Sequence, residues 1–153
     1  MTMKISQRGN VIFLDGVIDE NADFSSLLGH PSPLSLNFSG ISRINSIGVR
    51  SWMKFMIQWG DKPLEYLECP VVISDQLAVM PVLRGVKKRV AQVQSAIISY
   101  DCPSCKQQLD CRVSYDQVVP QVKNEVRNPV CKNCGALTQL IHSDQLSIFE
   151  PRS

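Results

Sequence analysis

Cys102-Pro-Ser-Cys105 and Cys131-Lys-Asn-Cys134 are separated by 25 residues, and they form the strongest chemical signal in the sequence. Two Cys-x-x-Cys hooks deliver four thiolates to one point. A tetrahedral Zn²⁺ ion takes that donor set at Zn–S distances of ~2.3 Å, because a d¹⁰ ion accepts the geometry without electronic preference. A redox Cys-x-x-Cys normally occurs once, in a strand-to-helix turn, whereas both hooks here read as strand ends. Four sulfurs close the coordination shell and leave no position for a reacting water, so the expected ion is structural. An iron site of the same geometry is the lesser alternative. Cys111, between the hooks, reads as a small apolar strand residue, and His142 as a weaker alternative ligand. Cys69 stands alone in the first hundred residues and reads as a buried neighbour of a helix start; His30, in a proline-rich loop, needs no function. Clustered thiols in a reducing compartment point to metal before disulfides.

A second candidate is the small polar pair in "SRINSIGVRSW", residues 42 to 52, between an apolar strand and an apolar helix. Ser46 is expected to cap the helix, with Asn45 making the turn. The same spot is a candidate docking point and phosphoacceptor. Winding residues 49 to 59 at ~100° each gathers Arg50, Ser51, Lys54 and Gln58 into a polar arc. Opposite it lie Val49, Trp52, Met53, Phe55, Met56, Ile57 and Trp59, an apolar arc about 200° wide. One sheet face covers little more than half of that. The flank of Trp52, Phe55 and Trp59 is either covered by the same chain, the favoured reading, or turned to a partner. Asn45, Ser46, Arg50, Trp52, Phe55 and Trp59 are the candidate partner-binding residues.

The elements that must position these groups follow from pattern. The chain has 153 residues, 44% apolar and 20% charged, a globular composition that excludes disorder. No apolar run approaches the ~18 to 20 residues that span a bilayer, and the first residues lack the apolar run of a signal peptide, so a soluble, cytoplasmic protein is expected. Residues 3–19 read as a hairpin around Gly9-Asn10, "DENADFSSLLG" as a short helix capped by Asp19 or Asn21, and Leu34, Leu36 and Phe38 as a strand turning at Gly40. A helix from Ser46, a strand in "PLEYLEC", a helix in "PVVISDQLAVM" with Pro70 in its first turn and a fifth strand in "VAQVQSAIISY" complete a mixed sheet with helices packed against it. Pro81 and Gly85 place a boundary, giving units 1–88 and 89–153. The second unit is expected to be a small all-β module with a strand in "LDCRVSY" and the proline-flanked "PQVKNEVRNP". It buries too little apolar surface to be secure without its metal.

Two segments of the first unit resemble STAS domains. "VIFLDGVIDENADFSSLL" is similar to their second strand and first helix, with Leu14, Gly16, Ile18 and Asp19 in the places of a shared leucine-x-glycine-x-hydrophobic-aspartate run. "LSLNFSGISRINSIGVRSWM" looks like the strand leading into their aspartate-serine-x-glycine turn, here Asn45-Ser46-Ile47-Gly48. The resemblance spans about residues 4 to 85. It implies an α/β STAS-like fold and an anti-sigma factor antagonist-like role, in which the serine at the place of Ser46 is phosphorylated by a partner that is both anti-sigma factor and serine kinase. Phosphate there is held by free backbone N–H groups and the helix dipole, and it adds about −1.5 to −2 charge to a docking surface. The second unit looks like a zinc ribbon, rubredoxin-like in its hooks. Gly135 matches the knuckle turn, and Lys106 stands where a glycine is usual.

Charge separates the function classes. A formal net charge of +2 argues for neither nucleic acid nor membrane. Residues 90–153 carry six Lys or Arg and six Asp or Glu, so Zn²⁺ on four thiolates makes that unit about −2, which disfavours phosphate binding. Arg84, Lys87, Lys88 and Arg89 read as a solvated connection. The preferred expectation is a non-catalytic regulatory module that binds a protein partner. A nucleic-acid adaptor acting through the ribbon and the basic connection is the alternative, and a constitutive assembly subunit the third. No nucleophile-base pair, phosphate-binding loop or paired carboxylates stand out, so no enzyme is expected.

Overall fold

The computed structural model describes residues 2–118, 128–141 and 145–153. Strands β1 (Lys4–Arg8) and β2 (Val11–Ile18) pair antiparallel around Gly9, whose φ of +60° suits glycine. Then come β3 (Leu34–Ile44), helix α1 (Ser46–Trp59), β4 (Leu64–Leu67), helix α2 (Val71–Val79) and β5 (Ala91–Val93). The sheet runs β1-β2-β3-β4-β5, with β2 to β5 parallel. Each crossover moves one strand along in the same direction, and right-handed crossovers of that kind put the helices on one face. Alternate residues Ile12 and Leu14, Leu34 and Leu36, Leu64 and Tyr66, Ala91 and Val93 are accordingly buried. The opposite face is polar: Ser35 donates to Glu65 at 3.2 Å, and Arg8 lies 4.7 Å from the Phe13 ring centroid.

Helix α1 buries Val49, Trp52, Phe55, Met56 and Trp59. Trp52 lies between Phe38 and Tyr66, with ring centroids at 5.2 and 5.6 Å. Its Nε1–H donates to the Tyr66 hydroxyl at 3.2 Å, and that hydroxyl donates to the Leu83 carbonyl at 2.6 Å. Leu83 sits in a 3₁₀ turn, Pro81–Arg84, so one buried hydroxyl ties helix, sheet and connection together. Burial pushes the Tyr66 phenol far above its usual pKa.

Several elements differ from expectation. The segment after β2 forms only a 3₁₀ turn, Ser25–Gly29. Asp19 Oδ1 accepts from Asn21 N–H and Asp23 Oδ1 from Ser25 N–H, both at 2.9 Å, and such local bonds compete with an α-helix. Strand β3 continues through Gly40 instead of turning there. A Cβ at Gly40 would lie 1.7 Å from Asp15 Oδ1, so the glycine leaves room for that side chain on the neighbouring strand. The expected fifth strand divides at Gln94. Its first part is β5, and its second is β6 (Ser95–Asp101), the centre of a separate antiparallel sheet with β7 (Gln108–Ser114) and β8 (Gln139–Leu140).

The chain thus changes sheet at Gln94. The two sheets also share one hydrophobic core, to which β6 contributes Ala96, Ile98 and Tyr100. A one-turn helix α3 (Tyr115–Val118) follows β7. The last segment, a 3₁₀ turn at Gln145–Phe149 and its extension, returns to the first sheet rather than staying with the second. Ile148 and Phe149 join the common core, and Arg152 N–H donates to Gln92 Oε1 at 3.2 Å. No described helix is long and apolar enough to cross a membrane.

Replacing Tyr66 with phenylalanine leaves the Leu83 carbonyl and the Trp52 N–H buried without their partner. A loss of about 2 to 4 kcal/mol is expected in urea unfolding, with little change in the slope of the transition.

Candidate functional site

The two Cys-x-x-Cys segments fold into matching knuckles. In the first, Lys106 N–H donates to Cys102 O at 2.8 Å and Cys102 N–H to Gln107 O at 2.9 Å. In the second, Gly135 N–H donates to Cys131 O at 2.9 Å and Cys131 N–H to Ala136 O at 2.8 Å. Each turn needs a left-handed residue at its end: Gly135 has φ +77° and Lys106 has φ +65°. Lysine adopts that conformation at a cost that glycine avoids. Strand β6 holds the first knuckle through its pairing with β7, and β8 docks on the same strand end, with Asp101 opposite both Gln108 and Gln139.

This pairing brings the four sulfurs together. Cys102 Sγ lies 3.4 Å from Cys134 Sγ, Cys105 Sγ lies 3.6 Å from Cys131 Sγ, and all four are within 4.8 Å of one another. Those separations are far beyond a disulfide bond, and all six cysteines are free thiols. Tetrahedral coordination at ~2.3 Å places sulfurs about 3.8 Å apart, so the cluster has the dimensions to chelate one metal ion. Cys102 and Cys131 are buried, Cys105 is half-buried and Cys134 is exposed.

The thiols do not ionise alike. The Gln107 backbone N–H and then the Asn133 side chain stabilise the Cys105 thiolate and bring it down to about 6. The Ala136 N–H favours the Cys134 thiolate, but hydrogen bonding with Cys102 and the other sulfurs holds its proton and raises it to about 11. A divalent ion displaces such shared protons. Gln107, Asn133 and Ala136 are site residues that motif spacing did not single out; Asn133 lies inside the second hook, and Gln107 and Ala136 lie two residues beyond the last cysteine of each. Asp101, just before Cys102, has a buried Oδ1 without a hydrogen-bond partner.

Cys111 lies on β7 opposite Ile98, outside the cluster, with burial raising its thiol. Cys69 is fully buried before Pro70, and burial pushes its thiol far up. His142 falls outside the described residues, as does most of "PQVKNEVRNP". The cysteine-bearing sheet is tied to the first sheet by Arg112, whose guanidinium holds the Glu68 carboxylate with Nε and Nη2 contacts of 2.6 to 3.1 Å.

At the second candidate site the cap is Asn45, not Ser46. Asn45 Oδ1 accepts from Gly48 N–H at 2.8 Å, and Ser46 is the first helical residue, exposed. The amide reaches a free N–H that an N1 hydroxyl does not. Trp52, Phe55 and Trp59 are 0, 2 and 1% exposed, so they are core and not a docking surface. Asn45, Ser46 and Arg50 remain exposed, joined by Ile47 and Ile57 at 49 and 61%. Ile47, Arg50, Lys54 and Ile57 recur at helical spacing and form one basic and apolar stripe.

The strand end and the helix start meet here. Asn45 N–H donates to Ile18 O at 3.0 Å, and a Cβ at Gly48 would lie 2.1 Å from that oxygen. Glycine is therefore required at 48. Beside this contact Asn45 Nδ2 donates to Glu20 Oε2 at 3.2 Å, at a cavity of about 410 Å³ bordered by Asp19 and Arg43.

Compared with protein-family models, with curated proteins and with solved structures, the chain matches none.

One divalent ion per chain is expected in protein purified without chelator, measured by atomic emission. Cys102→Ser or Cys131→Ser should abolish it and Cys111→Ser should leave it, while uptake releases protons and weakens as pH falls from 8 to 5. Asn45→Ala should cost ~1 kcal/mol in urea unfolding and Ser46→Ala only a few tenths.

Proposed function

We propose that this protein is a non-catalytic regulatory module of the STAS, anti-sigma factor antagonist-like type, carrying one structural Zn²⁺ on Cys102, Cys105, Cys131 and Cys134 in a zinc-ribbon-like sheet. The observation that carries the reading is spatial. The segments that resemble STAS domains, Leu14 to Asp19 and Asn45 to Gly48, are far apart in sequence yet meet at the Ile18 carbonyl, and that contact fixes both the cap and Gly48. The exposed Ser46 hydroxyl lies in the first helical turn, where backbone N–H groups and the helix dipole favour an added phosphate.

A protein partner docks on Asn45, Ser46, Arg50 and the stripe Ile47, Lys54 and Ile57. An anti-sigma factor with serine kinase activity is the partner class the resemblance implies, and phosphate on Ser46 releases it by placing about −1.5 to −2 charge in the interface. Zinc suits four sulfurs with a closed shell; it supplies folding free energy to a sheet whose strand β8 has two residues, and the filled shell leaves no position for a reacting water.

Affinity capture from native lysate, with mass spectrometry reading both the partner and any phosphate on Ser46, tests this function. Ser46→Ala should capture the partner as well as the natural protein does, and Ser46→Asp at least tenfold less. Equal capture by both would refute the switch, and a strongly coloured metal site would replace zinc by iron.

A further inference from the structure

The connection Arg84 to Arg89 does not behave as a merely solvated loop. With the returning C-terminal segment it encloses a cleft of about 360 Å³, within the size range of small-molecule sites. Arg84 lines it and is 2% exposed. Its Nε–H donates to Ala91 O at 2.9 Å and its Nη2 to Glu150 O, both neutral backbone carbonyls. The Glu150 carboxylate goes instead to Arg89, at 3.3 Å. Among the described residues no carboxylate forms an ion pair with Arg84, Lys87 or Lys88.

A buried cation without a counter-ion is costly. Burial, and then the charge of Arg89, bring Arg84 down to about 10. Lys87 and Lys88 are exposed at the rim, and Gly85 holds the loop shut: its φ is +142° and a Cβ there would meet Lys88 O at 1.9 Å. Val82 and Val86 add apolar surface, Val86 being 51% exposed.

We propose that this cleft binds a small organic anion whose phosphate group sits among Arg84, Lys87, Lys88 and Arg89, with its apolar body against Val82 and Val86. Guanidinium and ammonium donors suit phosphate oxygens, and the ligand supplies a direct ion pair where Arg84 has only the more distant Glu150 carboxylate at the cleft. The cleft has room for one such group and a body about the size of a nucleoside, not for a nucleic-acid strand.

Calorimetric titration of the full, metal-loaded chain in low salt, with inorganic phosphate and AMP as probes, tests the proposal. AMP should bind more tightly than phosphate, and added salt should weaken both. A Lys87→Gln, Lys88→Gln double variant should lose at least tenfold for each probe while keeping its thermal midpoint. Arg84→Lys, which keeps the charge and loses the planar fork, should weaken phosphate binding if it folds. No heat with either probe at millimolar concentration, equal affinity in the double variant, or a single-stranded oligonucleotide binding far more tightly than AMP would each overturn it.

Discussion

Strand β6 must be held from both sides for the rest of the molecule to work. At its start, Gln94 N–H donates to Tyr66 O and Gln94 O accepts from Tyr115 N–H, each at 2.8 Å. Cys69 then exchanges two backbone bonds with it, to Ser95 O at 3.0 Å and from Ile97 N–H at 2.8 Å. The strand leaves the first sheet already registered against it, and its far end carries Asp101 and Cys102. The position of the four sulfurs is thus fixed from the aromatic core outward, through Tyr66, and a metal ion would tighten a geometry the backbone has largely chosen.

Much of this was legible in the sequence, for identifiable reasons. The alternation of Leu34, Leu36 and Phe38 marked strand β3, and all three are buried because one side of the parallel sheet is packed by helices. The four metal-ligand candidates were legible because Cys-x-x-Cys spacing reports a local turn, independent of what surrounds it. Position within a turn was less legible. Asn45 and Ser46 are both good caps, and only the approach of Ile18 to Gly48, a long-range contact, decides between them. The aromatic flank of α1 could be read as core or as interface, since periodicity gives the width of an apolar face and not what covers it. Here Phe24, Phe38 and Tyr66 cover it.

The split at Gln94 was hidden for a different reason. Residues 90 to 100 read as one strand-like stretch, with Gln92, Gln94, Ser95 and Ser99 scattered among apolar residues, and nothing in it marks where hydrogen-bonding partners change. The sharing of one core by both sheets is equally invisible, because it depends on Ile148 and Phe149 returning from the end of the chain. The basic residues 84 to 89 look like a plain solvated turn until burial of Arg84 separates it from its neighbours. Charge in a sequence says nothing about which member of a run is desolvated.

That return has an architectural consequence. The last residues lie along β5: Arg89 Nε–H donates to Pro151 O at 3.0 Å and Arg152 N–H to the Gln92 side chain. The cysteine-bearing sheet is therefore not an appendix but an excursion, leaving the parent scaffold after Gln94 and rejoining it near Gln145. Lifting the sulfur-bearing part out would strip Ala96, Ile98 and Tyr100 from beneath the helix-covered sheet, so excursion and scaffold stand or fall as one body.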